Sequence, residues 1–127
     1  MALGDVKLMR ELPKRAGQEE LNNNTDTIQL IFASNTFASI DENSTTVDSS
    51  IFTGVSGGNV AANYPLTTTW SRVGASTALS ADNIGTIAKD PANPVNIATA
   101  IMYNATADLV YAVYAMTQDG TTPLDWV

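Results

Sequence analysis

The sequence of 127 residues contains no cysteine and no histidine, and only 15% of its residues are charged. Without cysteine the chain has no disulfide framework, no thiolate zinc site and no cysteine nucleophile. Without histidine it lacks the side chain that titrates nearest neutral pH, which is also the commonest metal ligand and general base. These absences leave only carboxylate or lysine chemistry, so we expect a protein that is not an enzyme and needs no cofactor or metal.

Positive charge is also scarce, because 6 Lys and Arg residues stand against 13 Asp and Glu residues, for a net charge of -7. Binding along a nucleic-acid backbone needs a basic footprint, so we expect no nucleic-acid partner. The longest apolar run, Leu109–Met116, has eight residues, far short of the roughly 20 that span a bilayer. With no secretory signal in the sequence, we expect no membrane partner and a protein that stays in the compartment where it is made.

Hydrophobic residues make up 44% of the chain, which is enough for the core of one domain. From residue 27 onward, short runs rich in β-branched residues alternate with turn residues such as Gly57 and Gly58. This spacing predicts an all-β fold, an antiparallel sandwich or barrel of about eight strands, with Trp70 in its core. The segments predicted as strands are 27–34, 36–40, 47–55, 66–73, 76–79, 83–88, 95–103 and 108–117. In the last two segments, apolar residues occupy both odd and even positions, which is typical of central strands with both faces covered.

Residues 1–26 are interpreted as an N-terminal arm and linker, and residues 27–127 as the β-sandwich body. Up to residue 15 there are four basic and two acidic residues, whereas from residue 16 onward there are two basic and eleven acidic ones. Apolar residues recur at every third position from Leu3 to Leu12, which predicts a short helical turn closed by Pro13. Such a segment is typical of an interaction tail, although a frayed and solvated terminus fits the same pattern.

If the arm is an interaction tail, its residues divide into two sets. One set supplies the buried contact with the partner: Leu3, Val6, Met9 and Leu12. The other set steers the arm toward acidic patches of the partner: Lys7, Arg10, Lys14 and Arg15. We expect the arm to be ordered by the partner's surface, because so short a helix is marginal alone.

Candidate catalytic side chains lie in segments that predict turns. Asp82 and Asp90 are the least implausible carboxylate pair for glycoside hydrolysis. A serine nucleophile would need Lys89 as its base. Asp41 and Glu42 would make at most a weak ion site. For each of these residues a solvated turn is the better interpretation.

Two aromatic residues fall outside the predicted strands. Tyr64 and Trp126 are candidates for a surface aromatic or a subunit contact, and Trp126 needs either the body or a neighbouring subunit to pack against. A sugar-stacking face would use such residues, whereas Tyr111 and Tyr114 lie inside a predicted strand and are expected in the core.

The order of motifs from residue 27 to residue 117 resembles a known family. A hydrophobic strand (28–33), a Gly-Gly turn (57–58) and a Thr-Thr-Thr-Trp strand (67–70) are followed by Leu-Ser-Ala-Asp-Asn (79–83) and by Ile-Met-Tyr-Asn (101–104), which turns into Leu-Val-Tyr-Ala. This order is similar to that of tailed-bacteriophage capsid decoration (cement) proteins with a jelly-roll body.

The resemblance implies a structural virion protein, made in the host cytoplasm and bound to the outer capsid surface. It implies a homo-oligomer, a trimer, whose N-terminal arms bridge subunits of the major capsid protein and so stabilise the capsid. Two alternatives remain open at this point: a carbohydrate-binding module, or a tail-associated virion protein in host recognition. An aromatic platform at Tyr64 or Trp126 would favour the first.

Overall fold

The structure, a computed structural model, describes residues 4–18 and 25–126, without the side chains of residues 70, 71, 73 and 76–79. Seven strands and one helix follow one another along the chain. They are β1 (Val6–Leu8), α1 (Glu11–Gly17), β2 (Ile28–Ala33), β3 (Tyr64–Leu66), β4 (Thr68–Val73), β5 (Ser76–Ala81), β6 (Thr99–Asn104) and β7 (Leu109–Ala115). The predicted all-β, antiparallel fold is confirmed, and the jelly-roll arrangement stays a prediction.

Five strands form the main sheet, in the order β1-β7-β6-β2-β3, and every neighbouring pair is antiparallel. Strands β4 and β5 form a separate two-stranded sheet. The predicted strand 66–73 is therefore divided between two sheets at Thr67, whose N–H donates to Asp82 Oδ1 at 2.7 Å. The long chain segments between the strands cover the faces of the main sheet.

Strands β6 and β7 form the centre of the molecule, as their apolar content predicts. Every residue of β6 is buried, and so is every residue of β7 except Tyr114, which is half-buried. One cluster contains Ile101, Leu109 and Val113, and a second contains Phe32, Ile97 and Ala100. Apolar side chains on both parities of a strand can be buried only when both faces of the sheet are covered.

Three predicted strands are not strands in the structure. Residues 36–40 contain a 3₁₀ turn, Phe37–Ser39, whose first N–H donates to the carbonyl of Gly120 at 2.9 Å. Residues 47–55 contain a second 3₁₀ turn, Ser49–Ile51, and then only an isolated bridge between Gly54 and Ala33. Residues 83–88 form no strand, and Ile84 and Ile87 pack instead against the second cluster. Apolar residues at these positions therefore cover the sheet rather than extend it.

The tight Gly57-Gly58 turn is present, as predicted. Gly57 and Gly58 have φ of +144° and +54°, and the turn brings Gly57 and Val60 into an isolated antiparallel bridge. A Cβ at Gly58 would lie 2.5 Å from Asn93 Oδ1, which accepts a hydrogen bond from Asn59 N–H at 2.8 Å. Glycine is therefore required at position 58 both by backbone conformation and by space.

Candidate partner-binding surface

The first described segment, residues 4–18, does not extend from the body as an arm. Strand β1 pairs with β7, with Val6 opposite Tyr114 and Leu8 opposite Ala112. Met9, the next residue, is only 1% exposed and belongs to the first core cluster. For the described part of residues 1–26, the prediction of an arm separate from the body is therefore wrong. The physical reason is that β7 is buried, so the backbone N–H and C=O groups along its outer edge need partners, and β1 supplies them.

The helical pattern predicted for residues 3–12 is also wrong where the structure describes it. Residues Val6–Leu8 are extended, and the helix begins only at Glu11, so that Pro13 lies in its first turn. Proline is accommodated there because the first N–H groups of a helix have no partner within the helix. Sheet pairing with β7 overrides the local three-residue spacing.

Of the four apolar residues predicted to contact a partner, two are committed to the core. Met9 is buried, and Leu12 is partly buried and packs against the same cluster. Neither can supply a buried contact to a partner without leaving this cluster. Val6 is 48% exposed and remains available, and Leu3 lies outside the described residues.

Leu8 is a surface residue that the sequence pattern missed. It is 61% exposed, and with Val6 and Val95 it is one of three exposed large apolar side chains in the described part of the chain. Val6 and Leu8 lie two residues apart in a strand, so they share one face. Reading residues 5–9 as an alternating strand instead of a helix would have identified Leu8.

The predicted steering residues are distributed over β1, α1 and their junction. Arg10 and Lys14 have the most exposed side chains of the ion-paired residues, 71% and 62%, and Arg15 is 31% exposed. Arg10 lies 3.9 Å from Glu42, and Lys14 and Arg15 lie 3.7 and 3.8 Å from Glu11. Exposed pairs at these distances contribute little to stability, so the cations remain accessible to a partner.

Lys7 differs from the other three because its ammonium is held against the protein. Its Nζ donates to the carbonyl of Phe37 and lies 4.5 Å from the centroid of the Phe37 ring. Partial burial lowers the pKa of Lys7, and the nearby carboxylates of Glu42 and Asp41 oppose this change. Lys7 therefore fastens β1 to the 3₁₀ turn and is not a freely projecting charge.

An open cleft of about 480 Å³ lies beside β1. Its walls combine Lys7 and Phe37 with three carboxylates, those of Asp5, Asp41 and Glu42. With one cation against three carboxylates, the lining of this cleft is acidic.

The two aromatic candidates are half-buried and hydrogen-bonded within the chain. The Tyr64 ring packs edge-to-face on Phe32, with centroids 5.8 Å apart, and its hydroxyl accepts from Ala61 N–H at 3.0 Å. The Trp126 Nε1–H donates to the Pro94 carbonyl at 2.8 Å. The Tyr64 ring therefore packs against the second cluster and Trp126 packs against the body of its own chain, and both side chains stay partly exposed. A subunit contact at either residue stays a prediction.

Trp126 also lines an open cleft of about 540 Å³ with Asp90, Val95 and Asp125. A sugar-binding role for this cleft stays a prediction. Asp90 and Asp82, the carboxylates considered for glycoside hydrolysis, each accept a backbone N–H: Asp90 from Ala92 at 2.8 Å and Asp82 from Thr67 at 2.7 Å. Both carboxylates thus stabilise the turns in which the sequence places them.

A polar network closes the β6–β7 turn and was not predicted from sequence. Asn104, which is fully buried, donates to Asp26 Oδ2 at 2.7 Å and to the Tyr111 hydroxyl at 3.0 Å, while its Oδ1 accepts from Ala107 N–H at 2.9 Å. Nearby, the Tyr103 hydroxyl donates to Asp108, and burial, reinforced by this hydrogen bond, raises the pKa of Tyr103 to about 12. All of these groups have partners within the chain, so the network is structural.

Among residues 4–18 and 25–126, no three carboxylates are grouped so as to hold a metal ion. Within the same ranges, no helix is long and apolar enough to cross a membrane. No protein-family model, curated protein or solved structure matches the chain significantly.

Proposed function

We propose that this protein is a structural component of a bacteriophage virion, a homo-oligomer that binds the major capsid protein on the outer capsid surface and stabilises the capsid. The observation that carries the proposal is the placement of the basic residues. The exposed cations Arg10 and Lys14 lie on and beside α1, on a chain whose net charge is -7. The resemblance of the motif order to that of decoration proteins supports the choice of partner.

The docked position of the segment changes the mechanism that the sequence alone suggested. A disordered arm loses conformational freedom when it binds, whereas a segment already fixed by β7 and by the Met9 contacts does not. The protein therefore presents a preformed basic surface to acidic patches of the capsid. Bridging two capsid subunits adds contact area that must be lost before the subunits separate.

A co-sedimentation experiment with matched charge changes tests this proposal. The double variant Arg10→Glu/Lys14→Glu removes two cations of the α1 surface, and Arg72→Glu/Lys89→Glu removes the two basic residues outside the N-terminal segment, both of which are exposed. Both variants change the net charge by the same amount. The capsids are expanded particles assembled from the major capsid protein encoded in the same genome as this chain.

We expect wild type and the Arg72/Lys89 variant to sediment with capsids, and the Arg10/Lys14 variant to lose at least about tenfold in affinity, since charge reversal turns attraction into repulsion. The loss should shrink at high salt, where surface charges are screened. Absence of wild-type binding contradicts the proposal. Equal losses in both variants contradict the assignment of the α1 surface.

A further inference from the structure

The open edge of the main sheet has the features of a strand-pairing site. In an antiparallel ladder, alternate residues direct their N–H and C=O groups toward the neighbouring strand. The backbone groups of Asp5 and Met9 point toward β7. The Asp5 carbonyl accepts from Ala115 N–H at 2.8 Å, and Met9 N–H donates to the Tyr111 carbonyl at 3.0 Å. The alternation therefore directs the N–H and C=O of Val6 and Leu8 to the outer edge, where the described residues place no further strand.

Natural proteins protect such edges with prolines, bulges or projecting charges. Strand β1 has no proline or bulge, and its one charge, Lys7, is held against Phe37 on the other face. Its two remaining side chains, Val6 and Leu8, are apolar and exposed. The edge thus combines the outward backbone groups of Val6 and Leu8 with an apolar surface, which is the template that an added strand needs. It ends at Arg10, whose N–H donates to the Glu42 carbonyl at 2.9 Å.

The apolar surface continues from β1 onto the sheet. Tyr114, opposite Val6, lines an apolar hollow of about 310 Å³ together with Gly4, Leu30, Ala100 and Met116. The apolar side chains of a strand added beside β1 would therefore extend an apolar surface that includes this hollow as well as Val6 and Leu8.

We propose that the occupant of this edge is β1 of a second copy of the chain, antiparallel to the first about a two-fold axis at Lys7. In this register Val6 of each copy lies opposite Leu8 of the other. The outward N–H and C=O groups of these residues then pair with one another, as an antiparallel ladder requires. The two five-stranded sheets become one continuous sheet with an apolar ridge of two Val6 and two Leu8 side chains.

Charge favours a second copy as the occupant. The strand carries Asp5 at its beginning and Arg10 just after its end, so an antiparallel copy brings the acidic end of each strand to the basic end of the other. The two Lys7 residues meet at the axis, but each lies near the carboxylates of Asp41 and Glu42. Residues 5–10 carry two cations and one carboxylate, so two copies repel each other less along this strand than across the rest of a chain with a net charge of -7.

This dimer needs no capsid partner and differs from the trimer that the resemblance implies. Because Arg10 belongs to both proposed contacts, Lys14→Glu alone separates a loss of capsid binding from a loss of the dimer. A two-fold contact of this kind is closed, because both β1 edges are used. It would also place two α1 surfaces on one particle, so a dimer could bind a capsid at two points.

Sedimentation velocity over micromolar to sub-millimolar concentrations tests the inference. We expect the wild-type mass to reach a plateau at the dimer, and Leu8→Asp to raise the dissociation constant at least about tenfold, because it brings a carboxylate into an apolar contact. The matched control is Val95→Asp, which changes the third exposed large apolar residue in the same way, away from the strand edge.

A charge exchange tests the register without touching the apolar residues. Asp5→Arg should weaken the dimer, and Asp5→Arg combined with Arg10→Asp should restore it. A monomeric wild type, a plateau at the trimer, a dimer insensitive to Leu8→Asp, or one equally sensitive to Val95→Asp overturns the inference. Failure of the double exchange to restore association overturns the antiparallel register.

Discussion

The molecule contains two β-hairpins of similar length that differ in their surroundings. Strands β6 and β7 lie in the middle of the main sheet, and almost all of their residues are buried. Strands β4 and β5 pair only with each other, in a sheet of two strands. The β6–β7 hairpin has neighbours on both edges and both faces. In the described part of the chain, the strands of the β4–β5 hairpin pair only with each other.

Sequence composition explains the difference. Strand β6 (TAIMYN) and strand β7 (LVYAVYA) have large apolar residues at both parities, whereas β5 (STALSA) is mostly serine, threonine and alanine. A two-stranded hairpin is marginally stable alone, so β4–β5 depends on its attachment at the Thr67–Asp82 contact. We therefore expect changes at the β6–β7 hairpin to alter global stability and changes at the β4–β5 hairpin to act locally.

The largest effect is expected at Asn104, in the β6–β7 turn. Asn104→Ala removes one hydrogen bond from Asp26, one from Tyr111 and the acceptor for Ala107 N–H. The loss of three hydrogen bonds around a buried side chain should lower the free energy of unfolding by about 3 kcal/mol. Urea denaturation monitored by circular dichroism measures this loss of stability. The control is Asn63→Ala, at an exposed position. Equal, small losses in both variants would mean that the network is not structural.

Two glycine substitutions compare a crowded turn with an open one. Gly58→Ala brings a Cβ to within 2.5 Å of Asn93 Oδ1 at a φ of +54°, and should cost about 2 kcal/mol. Gly74→Ala, in the β4–β5 turn, has a φ of +60° with nothing within 4 Å of the Cβ. It should cost about 1 kcal/mol from backbone conformation alone. Denaturation midpoints in the reverse order would contradict the contrast between the two regions.

The smallest effect concerns alkaline pH and Tyr103. Its pKa is raised from 10.0 to about 12 in the folded protein, so folded chains keep the proton longer than unfolded ones. This contribution to stability is complete below pH 10 and is lost as the pH rises from about 10 to about 12.

Tyr103→Phe should therefore flatten the fall in unfolding free energy across that pH window. Some fall should persist, because burial also raises the pKa of Tyr111 and of Tyr114. Urea unfolding at several pH values measures the slope. An unchanged slope in the variant would show that Tyr103 does not contribute.

The sequence predicts the three strands with the strongest apolar content, and it also predicts the less apolar β4 and β5. Residues 27–34 and 108–117 contain β2 and β7, and residues 95–103 contain all of β6 except its last residue, Asn104. The N-terminal segment was misinterpreted because a three-residue spacing of Leu3, Val6, Met9 and Leu12 fits a helix, while the pairing partner, β7, lies more than 100 residues away. Local patterns do not report such distant partners.

For the candidate surface, too, local patterns predict some features and miss those that depend on distant contacts. The sequence identified the cations Arg10 and Lys14, whose exposure follows from their charge. It also identified Met9 and Leu12 as apolar contact residues, but their contact is with the chain's own core. Leu8 was overlooked, because its exposure depends on which face of β1 lies against the cluster.

By itself, the sequence determined that this chain folds into antiparallel strands, that β6 and β7 are central, and that the first residues are basic on an acidic protein. Periodicity, turn residues and charge are local properties, and they are legible without the fold. Only the tertiary structure decided that the basic segment forms the edge strand beside β7, with Met9 inside and Val6 and Leu8 outside. That choice depends on pairing between distant segments, in which the free energy of covering an apolar strand exceeds a weak local preference.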